Sequence, residues 1–386
     1  MNLNRPVWIE VNLDHLAHNI SEVRRLTPSD ALVTAVIKAD GYGHGAVEIG
    51  QTLLDNGADR FAVATLTEAV QLRKRFKTVP ILILGYTEAE SIHLAIENDL
   101  IQTVYTYDQA RAFAQVARAM EKTLTVHIKV DTGMTRLGMQ ANKQSLEEIQ
   151  NMVGLTNLKV EGMYTHFACA DEKDKSMTYK QIEAFNWLKD GLKDQGIVFD
   201  LYHVSNSAAI IDLSDLPYDM VRAGIMLYGL YPSKEVSHSR VDLKEVMSLH
   251  CKISRVEVVG PNRGVSYGHR FVTDQETKIA TLPLGYADGL ARNLSFKAKG
   301  LVKKTGLKAS IIGTICMDQC MLDVTGQDLA MGDEVILFGP GLPIDEVADQ
   351  LGTINYEIVC MMNKRIPRVY KKQGQIVSIV DNVLAL

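Results

Sequence analysis

Among the residues that could do chemistry, one lysine is set apart by its neighbours. Lys38 closes the apolar, partly β-branched run 31–37, which reads as a buried strand. It opens Ala39-Asp40-Gly41-Tyr42-Gly43-His44-Gly45, a loop with three glycines, a tyrosine and a histidine. A cation at the end of a core strand is costly unless its charge is paired or removed. The chemical uses of such a lysine are a lowered pKa or a Schiff base with a carbonyl compound. The plainer alternative is a strand-end lysine whose ammonium reaches solvent.

The elements that must hold this residue alternate along the chain. Strands are expected at 33–37, 61–65, 80–84, 101–105, 123–130, 158–164, 198–204 and 220–223, the last continuing to 228. Amphipathic helices are expected between them at 14–26, 46–56, 66–76, 88–97, 107–119, 145–152, 177–195 and 208–211. Eight strands with crossover helices fit a closed parallel (β/α)8 TIM barrel, an α/β fold, better than an open sheet. From about Lys244 short strands follow one another, at 246–259, 277–283, 308–315, 320–325, 333–338 and 376–381, broken by Gly, Pro and Asp. The expected organisation is a barrel over 10–240 and a mostly β C-terminal domain over 241–386, joined by residues 1–9.

Composition narrows the partners. The chain has 386 residues, 46% hydrophobic and 23% charged, enough for a sizeable core. A net charge of −5 with dispersed basic residues points away from nucleic acid and from anionic membrane surfaces. No segment has the length of a membrane helix. Five scattered cysteines fit reduced thiols and a cytoplasmic location rather than a disulfide framework.

In barrels the active site is built at the C-terminal strand ends. Those ends carry Lys38; Thr65; Gly85-Tyr86; Tyr105; Lys129 with Asp131 and Arg136; His166; His203 with Ser207; and Arg222 with Gly224. Ionisable side chains crowd that rim more than solvation requires.

Residues 36–45 resemble the cofactor-lysine segment of the alanine racemase family, pyridoxal-phosphate enzymes that interconvert L- and D-alanine. The likeness continues, in the family's order, through 129–138, 163–167, 203–208, 222–225, 265–268, 282–289, 316–318, 354–357 and 365–370. It covers nearly the whole chain.

The resemblance implies that Lys38 holds pyridoxal 5'-phosphate covalently and then acts as a base on one face of the substrate Cα. Tyr267, reaching in from the second subunit of a homodimer, is implied as the proton carrier on the opposite face. A phenol with a pKa of about 10 is a poor base, so nearby positive charge must lower it; His166 and the arginines are the candidates. On its own residues Tyr267 also reads as an aromatic packed on the β-domain core. Arg222 is implied to face the pyridine nitrogen, oriented by His166 and supported by His203. Opposite a donor-only group that nitrogen stays unprotonated, which weakens the ring as an electron sink and disfavours transamination.

The phosphate is implied to lie against Tyr42, Ser207, Tyr356 and the amides of Gly224 and Ile225, although Ser207 would serve equally as a helix N-cap. Arg136, with the Met317 amide of the second subunit, is implied to bind the substrate carboxylate. Lys129 reads either as an ordinary cation or as a lysine carbamylated by carbon dioxide. Tyr286 and Asp318 are implied to line the entrance, and Tyr286 with Tyr356 to leave room for little beyond a methyl group. No metal is expected.

Three places, four residues in all, depart from the family pattern. Thr135 stands where a small residue, often glycine, precedes the arginine, Ala223 where proline or an aromatic follows Arg222, and His269-Arg270 is unusually bulky for the entrance. None removes a reacting group, but rate and acceptance of serine stay open. Rival readings are a broad-specificity or serine racemase, a pyridoxal-phosphate decarboxylase, and a non-catalytic carrier of the cofactor. For a racemase the resemblance implies either D-alanine supply for peptidoglycan or its catabolism.

Overall fold

Strands that are covered on both faces must be apolar throughout, and the short runs read from the sequence are of that kind. The computed structural model describes residues 3–384 and divides into two units. The first comprises Leu16–Gly41 and Ala46–Lys244. In it the strands Leu32–Val36, Arg60–Val63, Ile81–Ile83, Ile101–Val104, Leu124–Asp131, Leu158–Tyr164 and Leu201–His203 are joined in parallel in that order, and Met220–Ala223 pairs in parallel with the first of them. This is the expected eight-stranded barrel. Some of its helices begin on side-chain caps: Thr65 accepts from the Glu68 amide, Thr106 from Gln109, Asn142 from Ser145 and Asn206 from Ala209.

Closure is irregular at one place. Between Leu201–His203 and Met220–Ala223 there is no regular ladder; the seam is held by Asp219 N–H to Tyr202 O at 3.0 Å and Arg222 N–H to Ser205 O at 3.0 Å. The eighth strand does not continue to 228. Residues Ile225–Tyr228 form a 3-10 turn that ends at Gly229.

The second unit comprises the chain up to His15, Tyr42–Gly45 and the chain from Glu245. Its ten-stranded sheet places Val7–Asn12 between Met247–Lys252, antiparallel, and Arg368–Lys372, parallel. That pairing, with Tyr370 Oη donating to His44 O at 3.0 Å, groups residues 10–15 and 42–45 with this unit rather than with the expected span 10–240.

The single strand expected at 246–259 is two, Met247–Lys252 and Arg255–Val259. The first pairs with Val7–Asn12 and Glu334–Phe338, the second with Thr277–Leu282, so the chain changes neighbours at the buried Ile253. The strand expected over 308–315 stops at Ile312 because Gly313 turns to φ 71°. Strands Lys299–Val302 and Arg368–Lys372 and helices Ile344–Leu351 and Asn355–Met361 were not expected from the sequence. No helix among the described residues is long and apolar enough to cross a membrane.

Candidate active site

Lys38 ends the first barrel strand's run, and the backbone after it is left-handed. Ala39, Asp40, Gly41 and Tyr42 have φ of 52°, 55°, 62° and 51°. For a residue with a Cβ this costs about 1–2 kcal/mol each; only Gly41 adopts it freely. The turn is fastened from outside it. Ala39 N–H donates to Glu68 Oε1 at 2.6 Å, while Glu68 Oε2 accepts from Ala64 and Thr65 at 2.9 and 3.1 Å. Ala46 N–H donates to Asp40 Oδ1 at 3.1 Å. Strain is thus concentrated beside one half-buried lysine, the kind of place where functional sites commonly store it.

Arg222 lies inside the barrel at the irregular seam and satisfies it. Nη1 donates to His203 Nδ1 at 2.7 Å and His203 O at 3.1 Å; Nη2 donates to Thr165 O at 2.8 Å, Val204 O at 3.1 Å and His166 Nδ1 at 3.4 Å. The guanidinium also covers the Tyr164 ring at 5.2 Å, and that ring stacks on His203 at 4.6 Å. His203 is therefore the firmer orienting partner, with His166 at the longer distance. Burial lowers the Arg222 pKa to about 10, which leaves it cationic at neutral pH. All these bonds use the terminal nitrogens, and none uses Nε–H.

His166 does not supply the positive charge expected of it. Burial first, then Arg222, Arg136, Lys129 and Lys38, push its pKa well below the ordinary imidazole value. For His203, burial first, then Arg222, His127, Arg60 and Lys129, likewise push the pKa well below the ordinary imidazole value. Lys129 is buried, donates to Val130 O at 2.7 Å and lies 5.4 Å from the Tyr164 ring centre. Burial and the Arg222 and Arg136 charges bring its pKa down to about 7, against the opposing pull of Asp131.

Asp131 has a second task that the sequence reading missed. Its Oδ1 accepts from the amides of Gly133, Met134 and Thr135 at 2.9, 3.0 and 3.0 Å, shaping the loop that carries Arg136. Thr135 there has φ 54°, a conformation that β-branched residues seldom adopt and that explains why glycine would suit the position. Ser207 is not the helix cap, which is Asn206; its Oγ accepts from Gly224 N–H at 2.9 Å beside the turn at Ile225.

Also missed are three residues behind Arg222. His127 Nδ1 lies 2.9 Å from His203 Nε2, His127 Nε2 lies 2.8 Å from Glu161 Oε2, and Arg60 Nη1 donates to that same oxygen at 2.7 Å. The signal was present: an imidazole between Val126 and Ile128, and a carboxylate between Val160 and Gly162, in strands otherwise apolar.

The remaining candidates lie on the second unit. Tyr42 and Tyr356 approach with ring centres 6.2 Å apart, and burial raises the Tyr42 pKa. Tyr267 is 73% exposed, which rules out packing on the β-domain core. It lines a cavity of about 750 Å³ with His269, Met317 and Asp318. Ser266 Oγ donates to Thr314 O at 2.5 Å and fixes the turn before it. Tyr286 and Ala287 donate their amides to Cys316 O and Met317 O, both at 3.0 Å. A Cβ on Gly285 would stand 2.2 Å from Cys316 O, so only glycine permits that approach. Asp318 accepts from Arg365 Nη2 at 2.6 Å.

The alanine racemase N-terminal domain family matches residues 11–232 and the C-terminal domain family residues 246–370. The chain belongs to the alanine racemase family. With it the chain belongs to the isomerases. It is 47% identical over 370 residues to an alanine racemase of Desulforamulus reducens, covering 95% of this chain and 100% of that one. It is 43% identical over 384 residues to alanine racemase 1 of Clostridium acetobutylicum, covering 98% and 99%. The solved alanine racemase of Clostridium difficile 630 superposes with TM-score 0.96 at 43% identity over 99% of this chain and 100% of that one. That of Bacillus anthracis with bound L-Ala-P gives 0.94 at 34% identity, with full coverage of both.

Proposed function

We propose that this racemase interconverts L- and D-alanine with pyridoxal 5'-phosphate, by proton transfer on both faces of the substrate. The observation that carries the reading is Arg222: a buried cation, fully committed at both terminal nitrogens, whose Nε–H remains for a ring acceptor. The donor set suits the cofactor. Lys38 would hold its aldehyde carbon, Tyr42, Ser207, Tyr356 and the amides of Gly224 and Ile225 its phosphate, and Arg222 its pyridine nitrogen. When bound, pyridoxal phosphate draws electrons from the substrate Cα and makes its proton acidic.

The chain's own groups do the rest. Arg136, with the Met317 amide, holds the carboxylate of alanine, a task suited to a fork of donors. Lys38 Nζ moves the proton on one face and Tyr267 Oη on the other, since a single base would return the proton to the side it left. Arg222 stays protonated and disfavours transamination. Tyr286, Tyr356 and Asp318 bound the entrance, favouring a methyl side chain. The exposure of Tyr267 and Met317 supports a homodimer in which each subunit completes its partner's site. The free thiols of Cys169, Cys251, Cys316 and Cys320 suit a reducing cytoplasm.

The test is chiral chromatography of L-alanine incubated with the protein in deuterated buffer. Racemisation with deuterium at Cα is expected. Deuterium uptake with configuration retained would remove Tyr267 from its role, and no exchange would overturn the assignment. Sedimentation of the active protein as a monomer would rule out the shared site.

A further inference from the structure

We propose that Glu161 is a positioning residue for Arg222, acting through a one-way row of hydrogen bonds across the barrel core. The inference rests on the reading of Arg222 as the group that faces the cofactor ring. Arg222, His203, His127, Glu161 and Arg60 come from five different strands and meet at 2.7, 2.9, 2.8 and 2.7 Å.

The two ends dictate the direction of every bond between them. Arginine only donates, so His203 Nδ1 must accept and its proton must sit on Nε2. His203 Nε2–H then donates to His127 Nδ1, which places the His127 proton on Nε2. That proton is donated to Glu161, and a carboxylate only accepts. Both imidazoles are wholly buried, so neither finds water as a substitute partner. Arg60 donates to the same Glu161 oxygen and keeps the carboxylate in place.

The row matters because Arg222 must aim Nε while its terminal nitrogens are occupied. If Glu161 did not accept, His127 would be free to carry its proton on Nδ1. Two donors would then face each other between His127 and His203. Relief by a tautomer change in His203 would place its proton against the Arg222 guanidinium, which has no acceptor to offer. The error at one end of the barrel is thus delivered to the other. Tyr164, stacked flat on His203, prevents the ring from turning to escape it.

The test begins with nitrogen NMR of the holoenzyme labelled at histidine. Both His127 and His203 are expected as neutral Nε2–H tautomers across the neutral pH range. A proton on Nδ1 of either ring, or a doubly protonated ring, would overturn the proposal without any variant. Glu161→Ala is then expected to change the His203 tautomer and to lower kcat at least about tenfold, with little change in KM. Glu161→Gln, whose amide oxygen still accepts, is expected to restore both. If Glu161→Ala folds with unaltered tautomers and kcat, Glu161 does not position Arg222. Wild-type protein without racemase activity but with the stated tautomers would instead defeat the functional reading alone.

Discussion

Asp288 and Arg365 form a 2.6 Å ion pair whose carboxylate has no solvent exposure. Asp288 also accepts from Arg5 Nη2 at 2.7 Å and from Gly285 N–H at 3.0 Å, while Arg365 continues to Asp318. Burial would raise the Asp288 carboxyl, but the two arginines outweigh it and hold its pKa below the ordinary value. The pair therefore ties together the Tyr286 turn, the Met317 loop and Asp318.

Removing the charge at Asp288 leaves two guanidinium groups converging on a weaker acceptor. Asp288→Asn is expected to lower the melting temperature and to raise KM for alanine about tenfold, which corresponds to about 1.4 kcal/mol. Steady-state kinetics beside a thermal melt distinguish the outcomes. A lowered melting temperature with KM unchanged would show that the pair supports the fold without shaping the entrance.

Glu68 latches the left-handed turn after Lys38 from the neighbouring helix. Glu68→Ala should cost about 1–2 kcal/mol, the scale of a lost cap, and reduce kcat because Lys38 is no longer held by a strained backbone. Calorimetry and turnover measured together test this. Full kcat in a destabilised variant would mean that the turn keeps its shape unaided.

Lys129, at a pKa of about 7, is mostly neutral on the alkaline side of neutrality. A neutral amine attacks carbon dioxide: the N–C bond forms and one N–H proton leaves to solvent. A carbamate signal from labelled carbon dioxide is expected above pH 7 and should fade as the pH falls below it, because the protonated amine cannot react. Linkage has a matching sign. Ordinary lysine keeps its proton to higher pH, so stability should rise as pH increases through 7. Absence of the signal at alkaline pH would leave Lys129 a simple amine.

Arg222→Lys is expected to lower both stability and turnover. An ammonium has three donors, whereas the guanidinium serves Thr165 O, His203 O, Val204 O and the His203 ring. Each buried acceptor left without a partner costs about 1–3 kcal/mol. A melt unchanged from wild type would show that lysine with a trapped water replaces the lost bonds.

The barrel was legible because its strands are short apolar runs and its helices carry one-sided apolar faces; both are local patterns. Val7–Asn12 was not, because both its partners lie hundreds of residues away; Arg368–Lys372 pairs in a tight hairpin with Gln375–Val380, a local signal that the reading passed over. The strand-end residues Lys38, Lys129, His166, His203 and Arg222 could be read by counting to the ends of strands. His127 and Glu161 sit in strand middles, where sequence alone does not tell an inward polar group from an outward one. The bond from Arg222 to His166 that the resemblance implied is present, beside a shorter one to His203. His203 ends its strand, whereas His166 lies two residues beyond the end of its own at Tyr164, and the two rings stand 2.7 and 3.4 Å from the guanidinium.

The irregular seam at Arg222 also limits what descendants of this scaffold can become. Many cofactor-ring sites demand a carboxylate opposite the nitrogen, and here that exchange would place an acceptor among three carbonyl oxygens that already need donors. A lineage drifting toward another reaction would have to rebuild the closure of its barrel before, or together with, its chemistry. On the proposed role of Arg222, the electronic preference at the cofactor ring and the integrity of the backbone are inherited through one side chain.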